Sequence, residues 1–304
     1  SGGSVYNPTD KGLGVPFEMT LAFHSDAGFS ETDEWIGTLG VYTTNFNEGK
    51  LNSGISRHAS RDLTDMVMTE LQHDLSAKYG RQWNRRGMWN RNYSETRLPA
   101  VPSMILEILS HQNFADMRMG HDPNFKFTVA RSVYKAILKH TATMHGTGYV
   151  VQPLPVTRFA IKEGSKHTFR LSWQGVVDMQ EPSANPRGYI VYTRLGHGGW
   201  DNGTYVKNNY YTFNAEPGLV YSFKVTAVNK GGESFPSEIL SAYHAKKNEG
   251  TVLIVNGFDR TSGPATYESA DLQGFDMARD PGVPYISTTA YCGPQYAFDR
   301  TQIG

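Results

Sequence analysis

Three groups of residues in this chain have the types and spacing that could do chemistry. The first is Glu107, a carboxylate inside the apolar run Met104, Ile105, Leu106, Ile108 and Leu109. Pro102 bounds that run on one side and the polar Ser110-His111-Gln112-Asn113 on the other, which predicts a short strand covered on both faces. A carboxylate held there must meet a cation such as an arginine at the strand end, lie near a metal, or carry a raised pKa suited to proton transfer. The second is His24, which follows the strand-like run Phe17 to Phe23 and leads into Ser25-Asp26-Ala27-Gly28. Open α/β sheets place ligand-binding groups at the carboxyl ends of strands, although a structural hydrogen bond would also account for one histidine. The third is Arg81 to Arg97, with five arginines and three tryptophan or tyrosine rings. Such a loop could clamp a carboxylate with Arg85, Arg86 or Arg97 and stack on a sugar or peptide. It could equally be a solvated loop with its arginines paired internally.

The elements around these residues read as α/β. Trp35 to Thr43 predicts another strand, and Asn45 to Gly54 a polar loop. Leu63, Met66, Val67, Leu71 and Leu75 recur at helical spacing, with Ser60 as the expected N-cap and Gly80 closing the helix. His73 falls off that stripe, which places it on a solvated face. Asp122-Pro123 opens a second helix with Phe125, Val129, Val133, Ile137 and Leu138 as its stripe. His140 and His145 near its end are expected to answer the helix dipole. Alternating strands and helices over 1–149 imply a mainly parallel sheet with helices packed on it.

The pattern changes at Val150. After the linker Val151-Gln152-Pro153-Leu154-Pro155 come short alternating runs: Phe169 to Trp173, Gly188 to Arg194, Tyr205 to Val206, Tyr210 to Phe213 and Tyr221 to Val228. Turn residues separate them at the spacing of an all-β sandwich, expected over 150–246. The Gly-rich stretch His197 to Gly203 has no helix after it, so it is not expected to cradle phosphate. Thr251 to Gly257 reads as a buried parallel strand opening a second, incomplete α/β domain over 250–304, and Asp259 follows its end. A loop aspartate accepting backbone hydrogen bonds is the simpler reading of Asp259.

Two resemblances rest on these motifs. Leu21-Ala-Phe-His24-Ser-Asp26-Ala and Pro102-Ser-Met-Ile-Leu-Glu107-Ile-Leu-Ser110-His-Gln-Asn113 resemble two strand ends of the zinc-dependent N-acetylmuramoyl-L-alanine amidases, which cut the lactyl amide of peptidoglycan. The resemblance covers roughly 15–145. It implies that His24 is a zinc ligand and that Glu107 is the catalytic general base and acid. It also makes Asp26 and Asn113 substrate-binding candidates beside Arg85, Arg86 and Arg97. The implied chemistry is hydrolysis in which zinc polarises the carbonyl while Glu107 moves the proton from water to the leaving amine. The family's other zinc ligands are expected upstream of this chain, which reads as beginning inside the catalytic domain. The second resemblance is to a fibronectin type III domain over about 151–245. It rests on Trp173 in Leu-Ser-Trp, on Gly188-Tyr-Ile-Val-Tyr192 and on Tyr221-Ser-Phe-Lys-Val-Thr-Ala-Val-Asn229.

The combination is similar to Bacteroidetes proteins often labelled xanthan lyase. That leaves an alternative in which a non-hydrolytic amidase-like domain sits in a polysaccharide-binding or polysaccharide-lyase-type surface protein. Peptidoglycan or muropeptide, and then other glycans, are the expected partners, in an exported setting: periplasmic, cell-surface or secreted. Charge agrees with this much: 29 Lys plus Arg balance 29 Asp plus Glu across 304 residues, so no basic field points to nucleic acid. The single Cys292 rules out an internal disulfide framework, and no run approaches the length of a membrane span.

Overall fold

The computed structural model describes residues 16–30, 32–247, 250–255, 262–282 and 297–299. The described residues divide into two compact units, those of Ser1–His145 with Phe258–Gly304, and those of Gly146–Gly257.

The first unit is built on a four-stranded sheet. Its strands are β1 (Thr20–Asp26), β2 (Thr38–Tyr42), β3 (Arg85–Asn90) and β4 (Ser103–Ser110), in the order β1-β4-β2-β3. Helices α1 (His58–Tyr79), α2 (Ser94–Arg97), α3 (Phe114–Gly120) and α4 (Pro123–His145) lie between and after them. The sheet is mixed, which corrects the expectation of a mainly parallel one: β1 runs parallel to β4 and β2 to β3, but β2 meets β4 antiparallel. The cause is the connection 27–37, which holds no helix over its described residues. A parallel return takes a crossover of roughly a dozen residues or more, so β2 comes back in the opposite direction. β2 and β3 are joined through α1 and therefore run the same way.

α1 and α4 bury their predicted stripes against one face of the sheet. Leu63, Val67, Leu71 and Leu75 meet Phe125, Val129, Val133, Met104 and Leu106 in one core. Gly40 permits this approach, since a Cβ there would stand 2.5 Å from Thr64 Cγ2. Gly80 closes α1 in the left-handed conformation, as read from the sequence. Ser60 is not the N-cap. The helix starts at His58, and Ser60 is buried inside its first turn, where its Oγ accepts the Ser103 N–H at 3.1 Å. Between the helices Lys135 is sunk against Asp74 at 2.7 Å and Glu70 at 3.3 Å, so both carboxylates bury with a partner.

His140 also departs from expectation. A helix C-terminus favours imidazolium, yet His140 is 3% exposed and burial holds its pKa below the usual value, against the opposing pull of the Ala59 backbone, Asp62 and Glu18. A depressed folded pKa means that the unfolded chain takes the proton more readily, so this residue lowers stability as pH falls below about 6.5. His140→Leu is expected to flatten the loss of melting temperature between pH 7 and pH 5, measured by thermal denaturation. An unchanged slope would show that His140 does not carry it. His145, by contrast, pairs with Glu18 at 3.0 Å on the surface, and His73 is exposed as expected.

After the second unit the chain contributes β13 (Thr266–Glu268), β14 (Leu272–Phe275) and β15 (Ala297–Asp299), an antiparallel sheet, after the sandwich strands β5 to β12 described next. Phe275 packs on Phe114 with ring centroids 5.2 Å apart, and Gln273 donates to Asp33 at 2.8 Å. The described C-terminal residues thus return to the first unit, in place of an expected separate α/β domain. The strand expected from Thr251 is not formed over its described residues: Val252, Leu253, Ile254 and Val255 are 75% to 86% exposed. A β-branched run becomes a strand only where a neighbour supplies its hydrogen bonds. Asp259 lies outside the described residues.

The second unit is a sandwich of two antiparallel sheets. β5 (Thr157–Glu163), β6 (Thr168–Gln174) and β9 (Tyr210–Asn214) form one; β7 (Gly188–Leu195), β8 (Thr204–Val206), β10 (Val220–Asn229), β11 (Gly232–Glu233) and β12 (Leu240–Tyr243) form the other. Alternation fills the core: Phe169, Leu171 and Trp173 from β6 face Tyr221, Phe223, Val225 and Ala227 from β10. The Tyr221 hydroxyl accepts the Glu216 N–H at 3.2 Å, tying the strand start to the preceding turn. In the Gly-rich loop Asp201 accepts the N–H groups of Thr193 and Gly203, and Trp200 lies under Arg194 and Lys224. Among the described residues no helix is long and apolar enough to cross a membrane.

Candidate functional site

β1 and β4 run parallel, so their carboxyl ends share one edge of the sheet. His24 is the register partner of Glu107, and Asp26 of Ser110 after a bulge. The two residues singled out for chemistry are therefore neighbours: His24 Nδ1 stands 3.7 Å from Glu107 Oε1. β1 is the edge of the sheet, and His24 is 40% exposed. Glu107 is only 17% exposed, and its Oε2 is buried with no hydrogen-bond partner among the described residues. Burial raises its pKa, aided by the charge of Asp26 and opposed by His24, Arg86 and His111.

A residue not anticipated completes this arrangement. Glu95, from the single turn α2, approaches His24 Nε2 at 3.5 Å, so the imidazole lies between two carboxylates. Glu95 is held low by its own backbone N–H and the Ser94 hydroxyl. The two carboxylates around one imidazole are thus pushed in opposite directions. No spacing in the sequence links Glu95 to His24.

Arg86 is the cationic wall of the site. It donates to Asp26, whose Oδ1 also accepts the Ala27 N–H at 2.7 Å. Burial alone would raise Asp26; the Arg86 hydrogen bond, the Ala27 N–H and the charges of Arg86 and His111 carry it below the usual range. His111 joins from the end of β4, with Nδ1 at 3.2 Å from Ser25 Oγ. The strand-end rule that marks His24 would also have marked His111.

The other candidates are held elsewhere. Arg85 pairs with Asp65 at 2.5 Å and Thr69 at 2.8 Å, on the side of α1. Arg97 donates to Asn92 at 3.1 Å and lies over Phe46. Asn113 is the N-cap of α3, accepting the Asp116 N–H at 2.8 Å and donating to Glu34 O at 3.2 Å. Hence Asp26 and Arg86 share the site with His24 and Glu107, and Arg85, Arg97 and Asn113 make internal contacts. The stretch 81–97 is not one loop either, since β3 and α2 occupy most of it.

Zinc is the cofactor implied by the amidase resemblance. Among the described residues no group of three or more His, Cys, Asp or Glu side chains could hold a metal ion. His24 with Glu95 offers one imidazole nitrogen and one carboxylate, whereas a catalytic zinc takes three protein ligands. The described residues do not by themselves fit the ion.

Comparison with known proteins bears on the second unit. The fibronectin type III domain model matches residues 154–243. No curated protein sequence matches the chain. Solved structures that match include titin kinase and its flanking domains, at 23% identity and TM-score 0.28 over 31% of this chain and 18% of that one. The twitchin kinase region from C. elegans matches at 23% identity and TM-score 0.28, over 31% of this chain and 17% of that one. The FN1-FN3 domains of chicken CNTN1 match at 20% identity and TM-score 0.28, over 33% of this chain and 34% of that one. The chain thus spans about a fifth to a third of the length of these structures. Strand order, the Trp173 core and the family match agree, and residues 154–243 are a fibronectin type III domain within a longer chain.

Proposed function

We propose that the first unit acts on peptidoglycan as an N-acetylmuramoyl-L-alanine amidase and that Glu107 is its proton-transfer group. The observation that carries this reading is the placement of Glu107 beside His24, with one carboxyl oxygen buried, the other 3.7 Å from His24 Nδ1, and burial raising its pKa. A part-buried carboxyl beside an exposed imidazole can take a proton from water and return it to a leaving amine. Zn2+ is the cofactor that the amidase resemblance implies, with His24 the one ligand it names in this chain, and the proton-transfer role of Glu107 stands without it. Asp26 and Arg86 form the charged rim that a stem-peptide carboxylate would approach. An exported location follows from such a substrate, and the fibronectin type III domain serves as a spacer or docking module.

The test is release of new amino termini from purified muropeptides, with zinc supplied, followed by identification of L-alanine as the exposed residue. Release of other termini, or none, rejects the assignment. One observation favours a second reading, in which the domain binds glycan without hydrolysis: both ring nitrogens of His24 already face carboxylates, as a purely structural histidine would. Glycan retention without amine release supports that reading. An ultraviolet-absorbing unsaturated uronic acid product would instead identify a lyase.

A further inference from the structure

The three-stranded sheet of the sandwich turns one face to solvent. Phe169, Leu171 and Trp173 of β6 point into the core, so Arg170 and Ser172 between them point outward. Directly opposed residues share a face. Arg170 opposes Lys162 of β5 and Thr212 of β9, while Ser172 opposes Tyr210. Lys162, Arg170, Thr212 and Tyr210 are all exposed.

Two of these are cations set directly across from each other. Like charges in opposed positions destabilise a strand pair, so the arrangement does not serve the stability of the sheet. Among the described residues neither Lys162 nor Arg170 forms an ion pair with a carboxylate. The one carboxylate of β5, β6 and β9, Glu163, opposes Phe169 and turns to the core side, where it pairs with His244 Nδ1 at 3.3 Å. The outer face of these strands is therefore cationic.

Tyr210 holds the arginine in place. The Arg170 guanidinium lies over the Tyr210 ring, 4.2 Å from its centroid. One flat side of the guanidinium is thus taken by the ring, and its N–H groups lie in the plane, from which a carboxylate is bound through two parallel hydrogen bonds. Cβ atoms of directly opposed residues stand roughly 5 Å apart, so the Lys162 ammonium can reach the same carboxylate. Thr212 and Ser172 add hydroxyls beside it. The exposed residues of the three strands include no aliphatic side chain, and a peptide partner anchors itself by burying apolar side chains. A balance of 29 basic and 29 acidic residues over the chain speaks against nucleic acid. An anionic partner rich in hydroxyls fits all of these groups.

We propose that the outer face of β5, β6 and β9 is a docking surface for a carboxylate-bearing polysaccharide, with one uronate carboxylate held between Arg170 and Lys162 and sugar hydroxyls on Thr212 and Ser172. This goes beyond the amidase reading of the first unit and does not depend on it.

The experiment titrates the whole chain with an oligogalacturonate by calorimetry at low salt. Its methyl ester, which keeps the sugars and removes the charges, and an oligoglutamate of equal charge are titrated in parallel. Wild type is expected to bind the oligogalacturonate and not the ester. Lys162→Gln combined with Arg170→Gln should weaken binding about tenfold or more, the loss of charge-assisted hydrogen bonds to one carboxylate. Lys162→Gln alone should melt at the wild-type temperature or higher, because it relieves the opposed cations. Lys224→Gln, on the outer face of the other sheet, should bind as wild type does. No binding of oligogalacturonate to wild type at millimolar concentration, equal affinity in the double variant, or an equal loss in Lys224→Gln overturns the surface. Ester or oligoglutamate bound as tightly as the uronate overturns the choice of partner.

Discussion

Glu107→Gln is expected to lower turnover on muropeptides by at least about a hundredfold, the usual contribution of a positioned general base, without unfolding the chain. Gln keeps the shape and the contact with His24 but cannot take a proton. The stability readout has a definite sign. Burial raises the Glu107 pKa, with Asp26 adding and His24, Arg86 and His111 opposing, so the folded state holds the proton better than the unfolded chain. The ionised carboxyl therefore costs stability as pH rises above its ordinary value of 4.5. At neutral pH the variant should melt at the wild-type temperature or higher. A structural carboxylate paired to His24 would behave oppositely, losing stability and leaving turnover near normal. The two measurements together separate a base from a brace.

Asp116→Ala is expected to be the most destabilising single change near the site. Asp116 is fully buried and accepts the N–H groups of Ile36 at 3.0 Å, Gly37 at 3.2 Å and Ser110 at 2.8 Å. It joins the loop after β1 to the end of β4, where Asp26 and His111 stand. Alanine would leave three inward-facing donors without an acceptor, at ~1–3 kcal/mol each, so a loss of about 3 kcal/mol or more is expected in denaturant unfolding. A loss below about 1 kcal/mol would mean that water or a neighbour replaces the carboxylate. Burial pushes Asp116 up to about 6, against those N–H groups and the Arg86 charge. A raised folded pKa makes its contribution to stability fall as pH rises from 3.8 to about 6. Asp116→Asn, which cannot ionise, should lack that part of the slope.

Local periodicity carried most of what could be read in advance. The stripe Leu63, Val67, Leu71 and Leu75 and the alternation of Phe169, Leu171 and Trp173 each report one buried face, and both faces are buried where expected. The closeness of His24 and Glu107 follows from one motif lying on each of two parallel neighbouring strands. Direction was not readable: the sequence of the 27–37 connection carries no mark that β2 must run against β4. β3 was hidden because its faces alternate between Met88 in the core and Trp89 at the surface around an unpatterned set of arginines. Glu95 was hidden for another reason. Its turn reaches His24 only through the packing of α2, with Thr43 against Thr96 at 2.6 Å, and such contacts leave no spacing along the chain.

The place of the sandwich in the chain has a consequence for assembly. Residues 146–257 interrupt the first unit in sequence, and Phe275 packs on Phe114 across that interruption within the first unit. Were that span a flexible coil, closing it would cost roughly 4 kcal/mol of chain entropy by the (3/2)RT ln n rule. A folded sandwich shortens the free chain to the residues on either side of it, which lowers that cost. The two units are then coupled through the entropy of the unfolded chain. Loosening the Trp173 core should fray the sheet of β13 and β14 first, while the helix pair α1 and α4, whose contacts are made before the sandwich is reached, stays closed.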